Sequence, residues 1–381
     1  MKSVIIKKYN CVNPLNYIRS IAVICVFLLH VSLFSWQLGF AYDQYTWILK
    51  TPAWSAVWIL FLMSGYLIGK GFYREREYKF TPKEFLKFYF RRLLKVGIPT
   101  WIFIFIACTI VEPEFIVKNP TVIFRILTFT YHNIPSSYCI GATWFVSTLM
   151  WLYVIAPFVC LIVDAVAKRM RKYATQTVCL GIIVLGVLGF CCRTYMFQTG
   201  ADWSSQVYVP FYANLDLYVG GILLNYVEIP KVENEKKKIF LGTLIKVLFI
   251  IAIIINCYIA YLADYSEKYL YIYRYILPSI YLVGMCVYIF VAEMCYLPQE
   301  KLSCRNLIKN PVRLLDLFSE ISFEFYLVHS MVLSQIFVYF SGNNPVLVHL
   351  KIIGVSFVIS VCLAYLMKKM FVFLTEKPML R

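Results

Sequence analysis

Ten stretches of roughly twenty apolar residues recur along this 381-residue chain, and they restrict the solvent it can fold in. They run over 21–40, 52–71, 96–111, 144–163, 177–195, 207–227, 239–262, 275–296, 319–340 and 346–366. About 20 apolar residues wound as a helix cross a hydrocarbon core of ~30 Å. An open sheet edge would leave its N–H and C=O groups unpaired in lipid, so each stretch is expected to be a helix. The third is the shortest, which leaves its edges open. Composition agrees: 61% of residues are hydrophobic and 15% charged, against about 45–50% and 25% in soluble domains. Thirty Tyr, thirty Phe and eight Trp suit aromatic belts at two membrane interfaces. The first stretch is too long for a signal-peptide core and no small-residue cleavage site follows it, so it is expected to remain as the first span.

The net charge of +17 would suit a nucleic-acid face only if the cations were gathered on one surface. Instead they fall in short segments between the apolar runs, as orientation signals do. With the N-terminus placed in the cytoplasm, 29 of the 37 Lys and Arg lie on that side and 7 on the other, while Lys246 falls within a span. That asymmetry predicts an all-α polytopic integral membrane protein of about ten transmembrane helices with both termini cytoplasmic. Residues 1–20 form a cytoplasmic N-terminal segment, 367–381 a cytoplasmic tail, and 1–381 a single membrane domain without internal repeats. The thirteen Cys show no CxxC or Cys/His ligand spacing, so reduced, packed thiols are expected and no metal.

Ionisable groups inside a span are costly and therefore candidates for function. Arg19 and His30 lie eleven residues apart in the first span, which brings them within ~20° of one helix face and about 16 Å apart along the axis. Asn16 shares the stripe. A histidine at that depth can take a proton from a hydroxyl while its oxygen attacks a thioester, or it can simply tie two helices together. In the ninth span Ser322, Tyr326 and His329 repeat at i, i+4, i+7 on one face, with Glu320 and Glu324 nearer the cytoplasm. They could hold the bundle or serve chemistry. Arg91, Arg92 and Lys95 form a cationic patch where the third span enters the membrane, suited to phosphates or to anionic headgroups. Asp216 lies inside a span and must have a partner. Ser64-Gly65 and Gly220-Gly221 mark close helix crossings. His132 and His349 lie in or beside outer loops and read as solvated. No Gly-rich phosphate loop, zinc signature or nucleophile elbow is present.

These residues, in this order, resemble the membrane-bound acyltransferase 3 family of bacterial integral-membrane O-acyltransferases over nearly the whole chain. Arg19 and His30 match its first-helix signature of a basic residue, ten residues, then His. Phe61-Leu-Met-Ser-Gly-Tyr-Leu-Ile looks like its second-helix motif, and Arg91-Arg92-Leu-Leu-Lys95 followed by Pro99 its arginine-rich entry to the third. Trp144-Phe-Val-Ser-Thr-Leu-Met-Trp-Leu-Tyr153 with Pro157 resembles its fourth-helix block, and Phe325-Tyr326-Leu-Val-His329 its late Tyr-Leu-Ile-His motif.

The resemblance implies a cytoplasmic acyl-CoA donor, acetyl-CoA in the first instance, and a sugar or cell-surface glycan hydroxyl as acceptor in a bacterial inner membrane. It implies His30 as the catalytic residue and Arg19, Arg91, Arg92 and Lys95 as donor-binding groups. Tyr326, His329, Ser322 and Trp144 would line the substrate or support the site. Lys95 stands where the family commonly has Arg. Leu149 and Met150 stand where many members carry Glu, which points to the branch that includes succinyltransferases of biofilm glycans, so succinyl is the alternative acyl group. The rival reading is a glycan or lipid exporter whose intramembrane His and Glu relay protons, for which broken helices at the midplane would be the sign.

Overall fold

The computed structural model describes residues 13–37, 53–137, 139–295, 313–340 and 344–379. The first twelve residues, Lys50 and most of the 301–313 basic cluster lie outside the described residues, so the charge count stands untested there. All regular structure among the described residues is helical. The chain runs through α1 (Pro14–Gln37), α2 (Ala53–Gly69), α3 (Pro82–Arg92), α4 (Ile98–Ile106), the short α5 (Pro113–Lys118) and α6 (Pro120–Leu127), and α7 (Thr143–Arg169). It continues with α8 (Ala174–Gln198), α9 (Leu215–Leu223), α10 (Glu235–Leu262), α11 (Glu267–Tyr271), α12 (Leu277–Met294), α13 (Leu314–Ile336) and α14 (Pro345–Met379). Nine helices among the described residues are long and apolar enough to cross a membrane.

Two spans differ from the sequence expectation. The third is longer than 96–111. A π turn over Leu93–Gly97 joins α3 to α4, so one rod covers Pro82–Val111. Pro82 opens it at the first helical position, and Thr81 caps it by accepting the Glu84 N–H at 3.4 Å. The sixth, 207–227, is not one helix. It comprises a π turn (Trp203–Tyr208), a 3-10 turn (Phe211–Asn214), α9 and a final 3-10 turn (Leu224–Tyr226). Pro210 offers no N–H to continue a helix, and the Asn214 side chain donates instead to the carbonyls of Tyr208 (2.8 Å) and Pro210 (3.0 Å). The segment still runs from one end of the bundle to the other. Trp203 packs on Trp54 at the start of α2, ring centroids 5.3 Å apart, and Tyr226 stacks on Tyr73 beyond its end at 4.0 Å. Nine continuous helices and one broken passage thus account for the ten apolar stretches.

The sequence sets which helices lie inside. Of the α2 span, 78% is buried, against 17% for α8 and 22% for α10, so α2 is the central post and the other two face outward. Leu180, Ile183 and Leu188 on α8 are accordingly exposed apolar residues, as a lipid-facing helix requires. Glycine makes the central contact. A Cβ on Gly65 would overlap the Tyr218 carbonyl, and one on Gly221 would overlap the Leu62 carbonyl, so α2 and α9 touch backbone to backbone. The Asn225 amide donates to the Tyr66 carbonyl at 2.9 Å beside this crossing. On the other flank of α2, α1 pairs with α13: Asn16 donates to Asp316 at 3.1 Å and Ser20 to the Leu315 carbonyl at 2.7 Å. The end of the bundle where α1 begins and α14 ends carries Arg19, Arg92, Lys95 and Lys368, and is here the basic end.

Candidate functional site

Four helices around α2 bring the chemistry-bearing residues together. The i, i+4, i+7 stripe of α13 faces α1, and there His30 Nδ1 lies 2.7 Å from His329 Nε2. The rings are nearly parallel, 10° between planes with centroids 4.9 Å apart. His329 is fully buried among Phe27, Phe325 and Tyr326, whereas His30 is only partly so.

Proton positions follow from the partners. His329 Nδ1 is 3.1 Å from the Phe325 carbonyl, which can only accept, so Nδ1 carries the hydrogen. A neutral His329 then presents a lone pair at Nε2, and His30 must donate to it from Nδ1. The one ring nitrogen left with a free lone pair is His30 Nε2. The pair is thus a directed chain, His30 donating to His329 and His329 to the carbonyl, that leaves the His30 Nε2 lone pair free and fixes its tautomer.

Below the pair, toward the basic end, lies a cavity of about 580 Å³. Arg19 and Val23 of α1 line it, and His30 continues their stripe two turns deeper. Ser322 and Tyr326 of α13 line it too, and His329 sits about one turn past Tyr326. Phe145 lines it as well and packs on Tyr326, centroids 5.0 Å apart. Arg92 and Lys95 reach the wall from the rod that α3 and α4 form. The Arg92 guanidinium lies over the rings of Phe88 (5.2 Å) and Tyr153 (5.4 Å), and its buried Nε has no hydrogen-bond partner among the described residues.

The charges at this cavity do not cancel. Lys368 approaches Glu320 at 3.9 Å and donates to its carbonyl at 2.6 Å. Glu324 is the remaining acid in the wall, yet Arg19, Arg92 and Lys95 form no ion pair among the described residues. Three cations facing one acid, held partly out of water, make an anion site.

Other expected residues stand elsewhere. Arg91 is turned away from the cavity, bound to the Glu77 carboxylate and within 3.4 Å of the Tyr78 hydroxyl. Trp144 does not line the cavity. It packs on Tyr208, centroids 4.9 Å apart, in an aromatic cluster toward the opposite end. The Ser322 hydroxyl donates to the Ser319 carbonyl at 2.8 Å. Asp216 receives Arg193 at 2.7 Å, the partner its depth demanded. His349 is buried and His132 half-buried. His349 is 5% exposed, and the His132 ring lies against Trp151 and Phe211 with a buried Nδ1. Sequence reasoning missed Lys368, whose charge reads only as an orientation signal until α14 folds back beside α13.

The bundle thus sets a histidine pair, His329 fully buried and His30 partly so, near a cation-lined cavity at its basic end. The acyltransferase 3 family model, described as an acyltransferase domain, matches residues 12–365, and the chain belongs to that family. No curated protein matches the chain, and no solved structure does.

Proposed function

We propose that the protein moves an acyl group from cytoplasmic acyl-CoA to a hydroxyl of a sugar or cell-surface glycan in a bacterial cytoplasmic membrane. Acetyl is the expected group and succinyl the alternative. The observation that carries this is the histidine pair, set one turn beyond a cavity with three unneutralised cations.

On this reading the basic end faces the cytoplasm, and Arg19, Arg92 and Lys95 bind the donor phosphates. The pantetheine arm enters past Tyr153 and Tyr326, which brings the thioester toward His30. The distance suits such an arm: about 16 Å of helix separates Arg19 from His30. His30 Nε2 takes the proton of the acceptor hydroxyl as its oxygen attacks the thioester carbonyl. Collapse of the tetrahedral intermediate breaks the C–S bond, and the proton passes from His30 to the departing thiolate. The products are the O-acyl ester and CoA. His329 holds His30 by its Nδ1–H throughout and stabilises the transient imidazolium.

One feature favours the exporter reading, the broken passage 203–226. Its charged residue and the carbonyls at its break are already occupied, however, while Trp203 Nε1, Tyr218 Oη and Asn225 Oδ1 have no partner among the described residues. Asn214 takes the carbonyls freed by the break, Arg193 neutralises Asp216, and Gly221 seals against α2. The passage therefore offers a coupling ion no unpaired carboxylate.

Purified protein in nanodiscs, where no ion gradient exists, separates the two readings. Saturable CoA binding and acyl transfer from acetyl- or succinyl-CoA to a glycan acceptor are expected. Absence of CoA binding, together with gradient-dependent glycan movement in sealed vesicles, would establish the exporter instead.

A further inference from the structure

We propose that a second recess at the basic end binds the nucleotide portion of the donor, with Arg76, Lys79 and Lys172 on its phosphates beside the stacked rings of Tyr73 and Tyr226. This rests on the CoA-donor reading above, and none of these five residues belongs to the cavity already described.

The recess has a volume of about 1020 Å³ and lies between the end of α2, the 75–80 segment, the end of α7 and the first turn of α8. Lys168 is neutralised by Asp164 at 2.6 Å. Arg76, Lys79 and Lys172 form no ion pair among the described residues, and Glu228 is the one acid left in the wall. A cationic surplus therefore remains, as phosphate binding requires. The floor is aromatic. Tyr73 and Tyr226 stack at 4.0 Å with 41% of Tyr73 still exposed, a surface for a purine ring. Ala174, Thr175 and Gln176, in the first turn of the 25-residue α8, complete this wall.

Arg76 stands at φ 52°, in the left-handed region that a long side chain rarely adopts. Its neighbours hold it there: the Glu77 N–H donates to the Gly71 carbonyl at 2.8 Å and the Glu75 N–H to Lys70 at 2.9 Å. Strain of this kind persists where an orientation is useful.

The two recesses have no lining residue in common, but both lie along α2 and α7. Ile68 of α2 lines the first, and Phe72, in the π turn Lys70–Arg74 that extends α2, lines the second. On α7, Tyr153 lines the first and Asp164 the second, eleven residues and about 16 Å along the same face. Fully buried Phe88 divides them, packed on Phe72 at 5.5 Å and near Tyr153 at 6.4 Å, with Arg92 above its ring. A donor passing over Phe88 would place its nucleotide in the outer recess, its diphosphate near Arg92 and its pantetheine arm in the inner cavity.

An anionic lipid headgroup offers the same phosphate chemistry, so the test must separate the two. In nanodiscs of zwitterionic lipid, adenosine 3′,5′-bisphosphate is expected to displace CoA from the wild-type protein. Displacement from K79A/K172A should be about ten-fold weaker, a figure that discounts for exposed lysines. The wild-type preference for acetyl-CoA over acetyl-phosphopantetheine should shrink by a similar factor, and K79R/K172R should restore it. If K79A/K172A keeps the wild-type displacement and preference, the inference is wrong while the donor reading stands. If its CoA constants match wild type and only its response to anionic vesicles changes, the recess is a lipid site and the inference again fails. Should the wild-type protein bind no CoA at all, the donor reading falls and this inference with it.

Discussion

The two flanks of α2 treat buried polar groups in opposite ways. On the α8–α9–α12 side, Arg193 and Asp216 meet at 2.7 Å, Arg193 also donates to the Ala213 carbonyl at 3.0 Å, and Ser279 donates to the Gly186 carbonyl at 2.9 Å. Charge is cancelled there and the polar groups hold helices together. On the α1–α7–α13 side, Arg19 and Arg92 line a cavity where the cations outnumber the acids and neither is ion-paired among the described residues, and His30 ends a hydrogen-bond chain with a lone pair unused. Both flanks bury ionisable residues at a cost. What distinguishes structure from chemistry is whether the partner is already inside the protein.

Substitutions can break this contrast, and the largest effect belongs to the paired flank. Asp216→Leu would leave Arg193 buried without its carboxylate, a loss of about 3–5 kcal/mol. A marked fall in thermal stability in detergent is expected, and R193M/D216L should regain most of it. Equal losses in the single and double variants would mean that the pair does not act as a unit.

On the opposite flank His329→Leu removes the acceptor of His30 Nδ1–H. A lost hydrogen bond of about 1.5–3 kcal/mol predicts kcat lower by roughly ten- to a hundred-fold, with KM for acyl-CoA unchanged. A raised KM with normal kcat would place His329 in donor binding instead.

Arg92→Ala removes a cation that rests on two rings but pairs with no carboxylate among the described residues, so folding should lose less than at Asp216. The apparent KM for acyl-CoA should rise about ten-fold, since one charge-assisted contact is worth about 1.5–3 kcal/mol. A fall in thermal stability as large as that of Asp216→Leu would erase the distinction between the flanks.

Much of this was legible in the sequence because lipid imposes a simple rule: the span must be long, apolar and helical. Nine stretches obey it as continuous helices. The sixth did not, because hydropathy cannot see that Pro210 and Asn214 break the helix while its length still crosses the bundle. Helical spacing placed Arg19 and His30 on one face, and Ser322, Tyr326 and His329 on another. It could not say that the two faces meet, since that depends on how α1 packs on α13. Arg91 and Arg92 look equivalent in sequence, yet one residue turns the side chain by about 100°. Arg92 reaches the cavity and Arg91 reaches Glu77. Trp144 read as a site residue because its block is distinctive, whereas its ring packs on Tyr208.

The central claim is that His30 Nε2 accepts the acceptor's proton. His30→Gln tests it most directly, because glutamine can still donate toward His329 but cannot take up a proton at neutral pH. Acyl transfer by the purified variant should fall by about 10²–10⁴-fold, the usual cost of losing a general base. CoA binding and thermal stability should stay near wild type. Near-normal turnover in His30→Gln would show that the histidine pair merely ties α1 to α13, and would contradict the mechanism.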